Sequence, residues 1–311
     1  MYRDMKIAAL VPAYNEGKHV DRVITTMPDY VDYIVLVNDG STDDTAEVIK
    51  ANLTERCTFV NRGENRGLGA TLVEANQVTL ARTDAELMVI MAGDAQMDPT
   101  YLPALLDPLV DNTCEFSKGN RFFSSGSLKG MPRYRVFGNI VLTFLTKIAT
   151  GYWSIFDPQN GYTAIKRTTA QQLDWEHIAT DYSYENDILL QLALVRARIK
   201  DVNIPALYAN ETSTISLAKT IPSLLAVLWR AFWKRIWTLY VIQSFSVIVI
   251  FFVLGSLLTT FGLVYGGYEL WKIWGVAPLS AAKAVLIAVT LIMGLQFLLG
   301  TLILDIMNEP K

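Results

Sequence analysis

Residues 6–16, Lys-Ile-Ala-Ala-Leu-Val-Pro-Ala-Tyr-Asn-Glu, pass from an aliphatic run into a polar turn. The same change recurs at 33–45 (Tyr-Ile-Val-Leu-Val-Asn-Asp-Gly-Ser-Thr-Asp-Asp-Thr), 58–70 (Thr-Phe-Val-Asn-Arg-Gly-Glu-Asn-Arg-Gly-Leu-Gly-Ala) and 87–99 (Leu-Met-Val-Ile-Met-Ala-Gly-Asp-Ala-Gln-Met-Asp-Pro). The short β-branched or aliphatic runs at 6–11, 33–37, 58–61 and 87–91 read as strands, and helical patterns at 16–27, 43–55 and 68–82 follow the first three. Strand, turn and helix repeated and closed by a fourth strand predict an α/β fold with a mostly parallel sheet and helices on both faces. In such sheets ligands sit beyond the carboxyl ends of the strands. Those ends are where the polar residues gather.

No GxxxxGK[ST] occurs, and the glycines at 63, 67 and 69 give no GxGxxG after the first strand, so neither a P-loop nor a dinucleotide fingerprint is present. Asp39, at a strand end in a turn loosened by Gly40, can accept hydrogen bonds from a base or ribose, though such an aspartate also serves as a plain turn residue. Ser41 and Thr42 fit either ligand contact or ordinary helix-start chemistry. Asp94 and Gln96 lie two positions apart. On an extended segment both side chains project to one side, as a hard divalent cation bound mainly to a diphosphate needs.

The chain has 311 residues, 51% of them hydrophobic, enough for one or two domains. Residues 1–215 carry 20 Lys/Arg and 27 Asp/Glu, and 216–311 carry 7 and 3. A mildly acidic head is therefore followed by an apolar tail. The net charge of −3 gives no basic footprint, and no nucleic-acid partner is expected. Cys57 and Cys114 have no metal-ligand spacing and are expected to be buried, reduced thiols. His19 and His177 are expected at the surface.

No charge occurs between Arg235 and Glu269, or between Lys283 and Asp305. Each stretch is long enough for a bilayer's hydrocarbon layer of about 30 Å. The Gly-, Trp- and Pro-containing segment 265–282 reads as the loop of a helical hairpin. Trp229, Trp233 and Trp237 recur at helical spacing beside Arg230 and Lys234, which suits the headgroup layer; the other reading is an aromatic stripe packed on the head. The stretch 136–153, with Lys147 its one charge, fits either a core helix or a second element lying on the membrane. The expected domains are a head at 1–215, an amphipathic helix at 216–240 and a hairpin at 241–307, with spans at about 241–265 and 284–305. Lys219, Arg230, Lys234 and Arg235 precede the first span, against Lys272 and Lys283 in the loop. With no secretory signal at the start, the expectation is an integral membrane protein whose head faces the cytoplasm.

With the four loops in order, the head resembles the family 2 inverting glycosyltransferases of the GT-A fold. The matching residues are Val11 to Glu16, Val37 to Thr45, Glu64 to Ala70 and Ala92 to Pro99. The apolar tail narrows the resemblance to the branch similar to dolichol-phosphate mannose synthase and bacterial polyprenyl-phosphate glycosyltransferases. Lys118-Gly119-Asn120-Arg121, Pro132-Arg133-Tyr134-Arg135 and Asp157-Pro158-Gln159-Asn160-Gly161-Tyr162 match that branch as well. The resemblance implies a nucleotide-sugar donor held by Pro12, Tyr14, Glu16, Asp39, Gly67 and Asp94. It implies Mg²⁺ or Mn²⁺ on Asp94 and Gln96. It also implies a polyprenyl or dolichyl phosphate acceptor on Arg121, Arg135 and Asn160, with Asp94, Arg121 and Arg135 carrying catalysis. Partners are then the lipid bilayer and, through the membrane helices, a second copy of the chain. One departure is visible: most relatives have Asp-x-Asp before the Gln, and here the first is Ala92, which leaves one carboxylate fewer for the cation. A phosphate acceptor is already ionised near neutral pH and needs no general base. Glu185 and Asp187 open a helix and fit either sugar or arginine contacts or the role of first-turn acids. A sugar nucleotidyltransferase would share the sheet but would place a Gly-rich basic loop after the first strand, where Pro-Ala-Tyr-Asn-Glu stands. A non-catalytic nucleotide-binding scaffold is the other class, its one support the missing carboxylate at Ala92.

Overall fold

The computed structural model describes residues 1–122, 133–181, 183–205, 217–272 and 279–311. The chain divides into two compact units, Met1–Phe232 with the last two residues, and Trp233–Glu309.

The first unit is built on seven strands: β1 (Ile7–Ala13), β2 (Tyr33–Asn38), β3 (Cys57–Asn61), β4 (Leu87–Ile90), β5 (Phe116–Asn120), β6 (Thr163–Lys166) and β7 (Ile199–Asn203). They form one sheet in the order β3-β2-β1-β4-β6-β5-β7. All neighbouring pairs are parallel except those of β6, which runs antiparallel to both β4 and β5. The helices are α1 (Val20–Thr25), α2 (Thr45–Ala51), α3 (Leu68–Arg82), α4 (Leu102–Val110), α5 (Arg133–Thr150), α6 (Arg167–Ala170), α7 (Tyr184–Leu194) and α8 (Leu217–Arg235).

β1 is buried at every position because both its faces are covered, as a central parallel strand requires. Its alternation divides the core: Ile7, Ala9 and Val11 pack with residues of α1 and α4, whereas Ala8 and Leu10 pack with residues of α3 and α7. The expected helix at 16–27 is shorter than its pattern, because residues 14–19 are taken up in the turn after β1. Cys114 is buried, but Cys57 is only half-buried because it lies on β3, the outermost strand. His19 and His177 are exposed.

Helix α5 is not the core helix that its composition allows. Phe137, Ile140, Val141 and Phe144 form one exposed apolar stripe, and Thr146, Ala149 and Thr150 are buried. The part of α8 within the first unit packs on the head, with Leu228 and Ala231 in a cluster with Ala149 and Leu190.

The second unit contains a π-helix (Ile236–Gln243) and two long helices, α9 (Val247–Lys272) and α10 (Ala281–Met307), both long and apolar enough to cross a membrane. A Cβ at Gly255 would lie 2.9 Å from the Leu298 amide, one at Gly262 2.8 Å from Leu291 Cγ, and one at Gly266 3.1 Å from Ile287. Ascending α9 therefore meets descending α10, so the helices run antiparallel with backbones close. That contact lets α9 continue through Gly266 and Gly267, where the sequence suggests a loop. Lys283 Nζ pairs with Glu269 at 2.8 Å and Arg235 Nη1 pairs with Asp305 at 2.6 Å.

Candidate active site

The parallel register levels the ends of the first three strands: Ala13 lies beside Asn38, and Asn38 beside Asn61. The loops that follow are stitched together. The Asp39 amide donates to the Ala13 carbonyl at 2.9 Å. The Asn15 amide donates to Ser41 Oγ at 2.9 Å, and Asn15 Oδ1 accepts from the Thr42 amide at 2.9 Å. The Glu16 amide donates to Thr45 Oγ1 at 2.8 Å. Ser41 and Thr42 thus join two loops, whereas the N-cap position of α2 falls to Asp44.

Asp39 is 2% exposed. Its Oδ1 accepts from Arg62 Nη1 at 2.8 Å and the Arg66 amide at 3.0 Å, and its Oδ2 accepts from the Gly67 amide at 2.9 Å. The carboxylate therefore organises the turn that leads into α3. Gly67 has φ +90, a conformation that glycine adopts without penalty, and Gly40 has φ +65 with no room for a Cβ against the Glu64 backbone. Arg62 is missed by local reading, because its partner lies on the preceding strand's loop.

The Gly93 amide donates to the Pro12 carbonyl at 3.0 Å, which draws the loop after β4 onto the end of β1. The expectation of an extended segment from Asp94 to Gln96 is corrected here. Ala95 has φ +58 and Asp94 Oδ1 accepts from the Gln96 amide at 3.0 Å, so the segment is a tight turn. Asp's short side chain caps such a turn, and that local bond overrides period-two projection. No cluster of three or more His, Cys, Asp or Glu suited to an ion occurs among the described residues. A hard divalent cation takes about six oxygens, so a donor set of one carboxylate and one amide fits a cation carried on the donor's diphosphate. Tyr14 is 43% exposed at the same rim.

A cavity opens among these strand ends, with Pro12, Leu68, Ala92, Lys118, Gly161 and Glu185 in its wall. Lys118 is fully buried and donates from Nζ to the Asn160 carbonyl. Burial lowers its pKa to about 8, against the opposing pull of Asp157, Glu185 and Asp201. Burial likewise raises Glu185, and lifts Asp201 to about 6.

Arg121 leaves the end of β5 and meets Asp157, with Nε on Oδ2 at 2.7 Å and Nη2 on Oδ1 at 3.0 Å. Asn160 is 7% exposed and its Oδ1 accepts from the Tyr162 amide at 3.0 Å, closing its own turn. Arg135 lies in the first turn of α5, but its side chain lies outside the described residues. Asp187 is buried and accepts from the Ala179 amide at 2.8 Å and Arg230 at 3.1 Å. Lys118 and Asp157 fall within matched motifs that give them no role of their own, and Asp201 falls in none; the fold brings the three charges together.

The chain is 24% identical over 222 residues to the UDP-N-acetylglucosamine--dolichyl-phosphate N-acetylglucosaminyltransferase of Methanococcus voltae, covering 67% of this chain and 88% of the relative. It is 26% identical over 206 residues to an uncharacterized protein of Methanocaldococcus jannaschii, covering 66% and 83%. Glucosyl-3-phosphoglycerate synthase from Mycobacterium tuberculosis superposes in its complex with UDP at a TM-score of 0.58 and 21% identity, covering 74% and 80%. Its complex with Mn²⁺, UDP and glucosyl-3-phosphoglycerate gives 0.56 and 21%, covering 73% and 80%. These likenesses show a GT-A fold. The pattern described as "Glycosyl transferase family 2" matches residues 8–173, more than half of the chain, and the protein belongs to that family of nucleotide-sugar glycosyltransferases.

Proposed function

We propose that this glycosyltransferase moves a sugar from a nucleoside diphosphate, with UDP-hexose or UDP-N-acetylhexosamine favoured over GDP-mannose, to the phosphate of a polyprenol or dolichol, with inversion. The observation that carries the reading is the union, in one chain, of a family 2 glycosyltransferase domain and two helices, Val247–Lys272 and Ala281–Met307, of membrane-spanning length. A water-soluble acceptor needs no such tail. The exposed stripe of Phe137, Ile140 and Phe144, and Trp229, Trp233 and Trp237 at 66%, 43% and 62% exposure, suit a headgroup layer. The Lys/Arg excess before the first span favours a cytoplasmic head.

In the reaction a phosphate oxygen of the acceptor attacks the anomeric carbon from the face opposite the diphosphate, a C–O bond forms, and the bond to the departing diphosphate breaks. The nucleophile is already an anion, so positioning and charge compensation replace proton abstraction. Arg121 and Arg135 hold the acceptor phosphate, and Pro12, Tyr14, Glu16, Asp39 and Gly67 shape the donor loops. Asp94 and Gln96 would hold Mg²⁺ or Mn²⁺, which offsets charge on the leaving diphosphate.

The test incubates the purified chain, in detergent, with a polyprenyl phosphate and a panel of labelled nucleotide sugars, and assigns the product anomer by NMR. A lipid-phosphate sugar of inverted configuration is expected. Donor binding without transfer would indicate a scaffold, and consumption of sugar 1-phosphate with nucleoside triphosphate would indicate a nucleotidyltransferase.

A further inference from the structure

Strand β5 and the residue that follows it grip the turn that contains Asp157. Lys118 Nζ donates to the Asn160 carbonyl. The Gly119 amide donates to the Tyr162 carbonyl at 2.9 Å, and a Cβ at Gly119 would lie 2.7 Å from Asn160 Nδ2. Arg121 donates to the Asp157 carboxylate from its amide at 3.2 Å as well as from Nε and Nη2. From β7, Asp201 Oδ2 accepts the Phe156 amide at 2.7 Å. The turn is thus fixed from two strands.

The pair that results is asymmetric: the Asp157 side chain is 1% exposed, and that of Arg121 is 34% exposed. A buried ion pair is poor evidence for added stability, since apolar residues of equal volume often do as well. What the fork-to-carboxylate geometry does confer is orientation, because two parallel bonds fix the guanidinium plane. Asp157 takes the Nε–Nη2 edge, which sets the direction of the rest of the fork. A flexible side chain held in this way loses less freedom when it meets an anion. The carboxylate also offsets its charge, so that a product phosphodiester, one charge poorer than the acceptor monoester, is released.

We propose that Asp157 is a positioning residue that orients the Arg121 guanidinium toward the acceptor phosphate. This rests on the reading of Arg121 as an acceptor ligand. The experiment uses the full chain in detergent, with farnesyl phosphate as acceptor, the nucleotide sugar that the wild type consumes as donor, and UDP calorimetry as the check on the donor site. Asp157→Asn is expected to lower kcat/KM for farnesyl phosphate by about 30- to 100-fold while UDP affinity stays within about twofold. Asp157→Glu, which keeps the charge but shifts it, is expected to lower it by about tenfold. Arg121→Ala should match Asp157→Asn, and the double variant should fall no further than about threefold below Arg121→Ala, because one residue acts through the other. Millimolar guanidinium should restore transfer to Arg121→Ala and not to the double variant, a result that a merely structural role does not give. Equal rescue in both, multiplying losses, a parallel fall in UDP affinity, or normal kinetics in Asp157→Asn beside a crippled Arg121→Ala overturns the inference alone. Unchanged acceptor kinetics in Arg121→Ala, or a wild type that consumes no donor, overturns the acceptor reading and the inference with it.

Discussion

Asp39 and Arg62 meet at 2.8 Å across the loops that leave β2 and β3, with side-chain exposures of 3% and 10%. The same arginine reaches Glu74, Thr71 Oγ1 and the Ala70 carbonyl on α3. One guanidinium thus ties the strand end to the helix start. Removing Arg62 leaves the buried Asp39 carboxylate to two backbone amides, whereas Asp39→Ala leaves Arg62 its pairing with Glu74, so Arg62→Ala is expected to destabilise the head by about 3–5 kcal/mol and Asp39→Ala by less. Thermal melts and UDP titrations check this; melting temperatures unchanged in both would show that the pair is dispensable.

Asp94 is the one carboxylate in the donor set proposed for the cation. Transfer is expected to need Mg²⁺ or Mn²⁺ in the millimolar range, to stop in EDTA, and to be abolished by Asp94→Asn. Ala92→Asp is expected to lower the metal concentration for half-maximal transfer by about tenfold through an added carboxylate. Full turnover in EDTA would sink the assignment.

The Asp201 carboxyl is raised by burial from 3.8 to about 6, and its Oδ1 has no hydrogen-bond partner among the described residues. Between those values the folded chain holds a proton that the unfolded chain has released, so stability falls as pH rises from about 4 to about 6. At about 1.4 kcal/mol per unit, and allowing for solvent access, the cost at neutral pH is about 1–2 kcal/mol. Asp201→Asn should therefore melt roughly 2–6 °C above the wild type at neutral pH and level with it near pH 4. Melts across that range decide it, and a variant less stable at both ends contradicts the reading.

Gly294 and Gly267 offer a matched pair in the second unit. A Cβ at Gly294 would lie 2.6 Å from the Thr259 amide nitrogen, whereas one at Gly267 meets nothing within 4 Å. Gly294→Leu is expected to separate α9 from α10 and lower the melting temperature in detergent, with Gly267→Leu close to wild type. Equal behaviour of the two would show that helix contact does not depend on the small residue.

Leu228 and Ala231 pack on Ala149 and Leu190, so a truncation that keeps them is the informative one. A chain ending at Phe232 is expected to bind UDP, to transfer at least tenfold more slowly to long-chain lipid in vesicles, and to retain transfer to farnesyl phosphate. Equal rates on the long-chain lipid would deny the tail a part in acceptor delivery.

The sequence by itself determined the strand and helix periods of the first four strands, the gathering of polar turns at one end, and the two apolar helices. Each is legible because side-chain alternation, turn chemistry and absence of charge are local properties. Tertiary structure alone decided that β6 inserts antiparallel between β4 and β5, since pairing partners leave no local trace. It decided that Ser41 and Thr42 bind Asn15 and its amide, and that Asp94 caps a turn at Ala95. It also decided that Asp39 answers to Arg62 and Asp157 to Arg121, residues 23 and 36 positions apart. A carboxylate's role depends on which cation the fold brings to it, and that distance is set by the packing of the sheet.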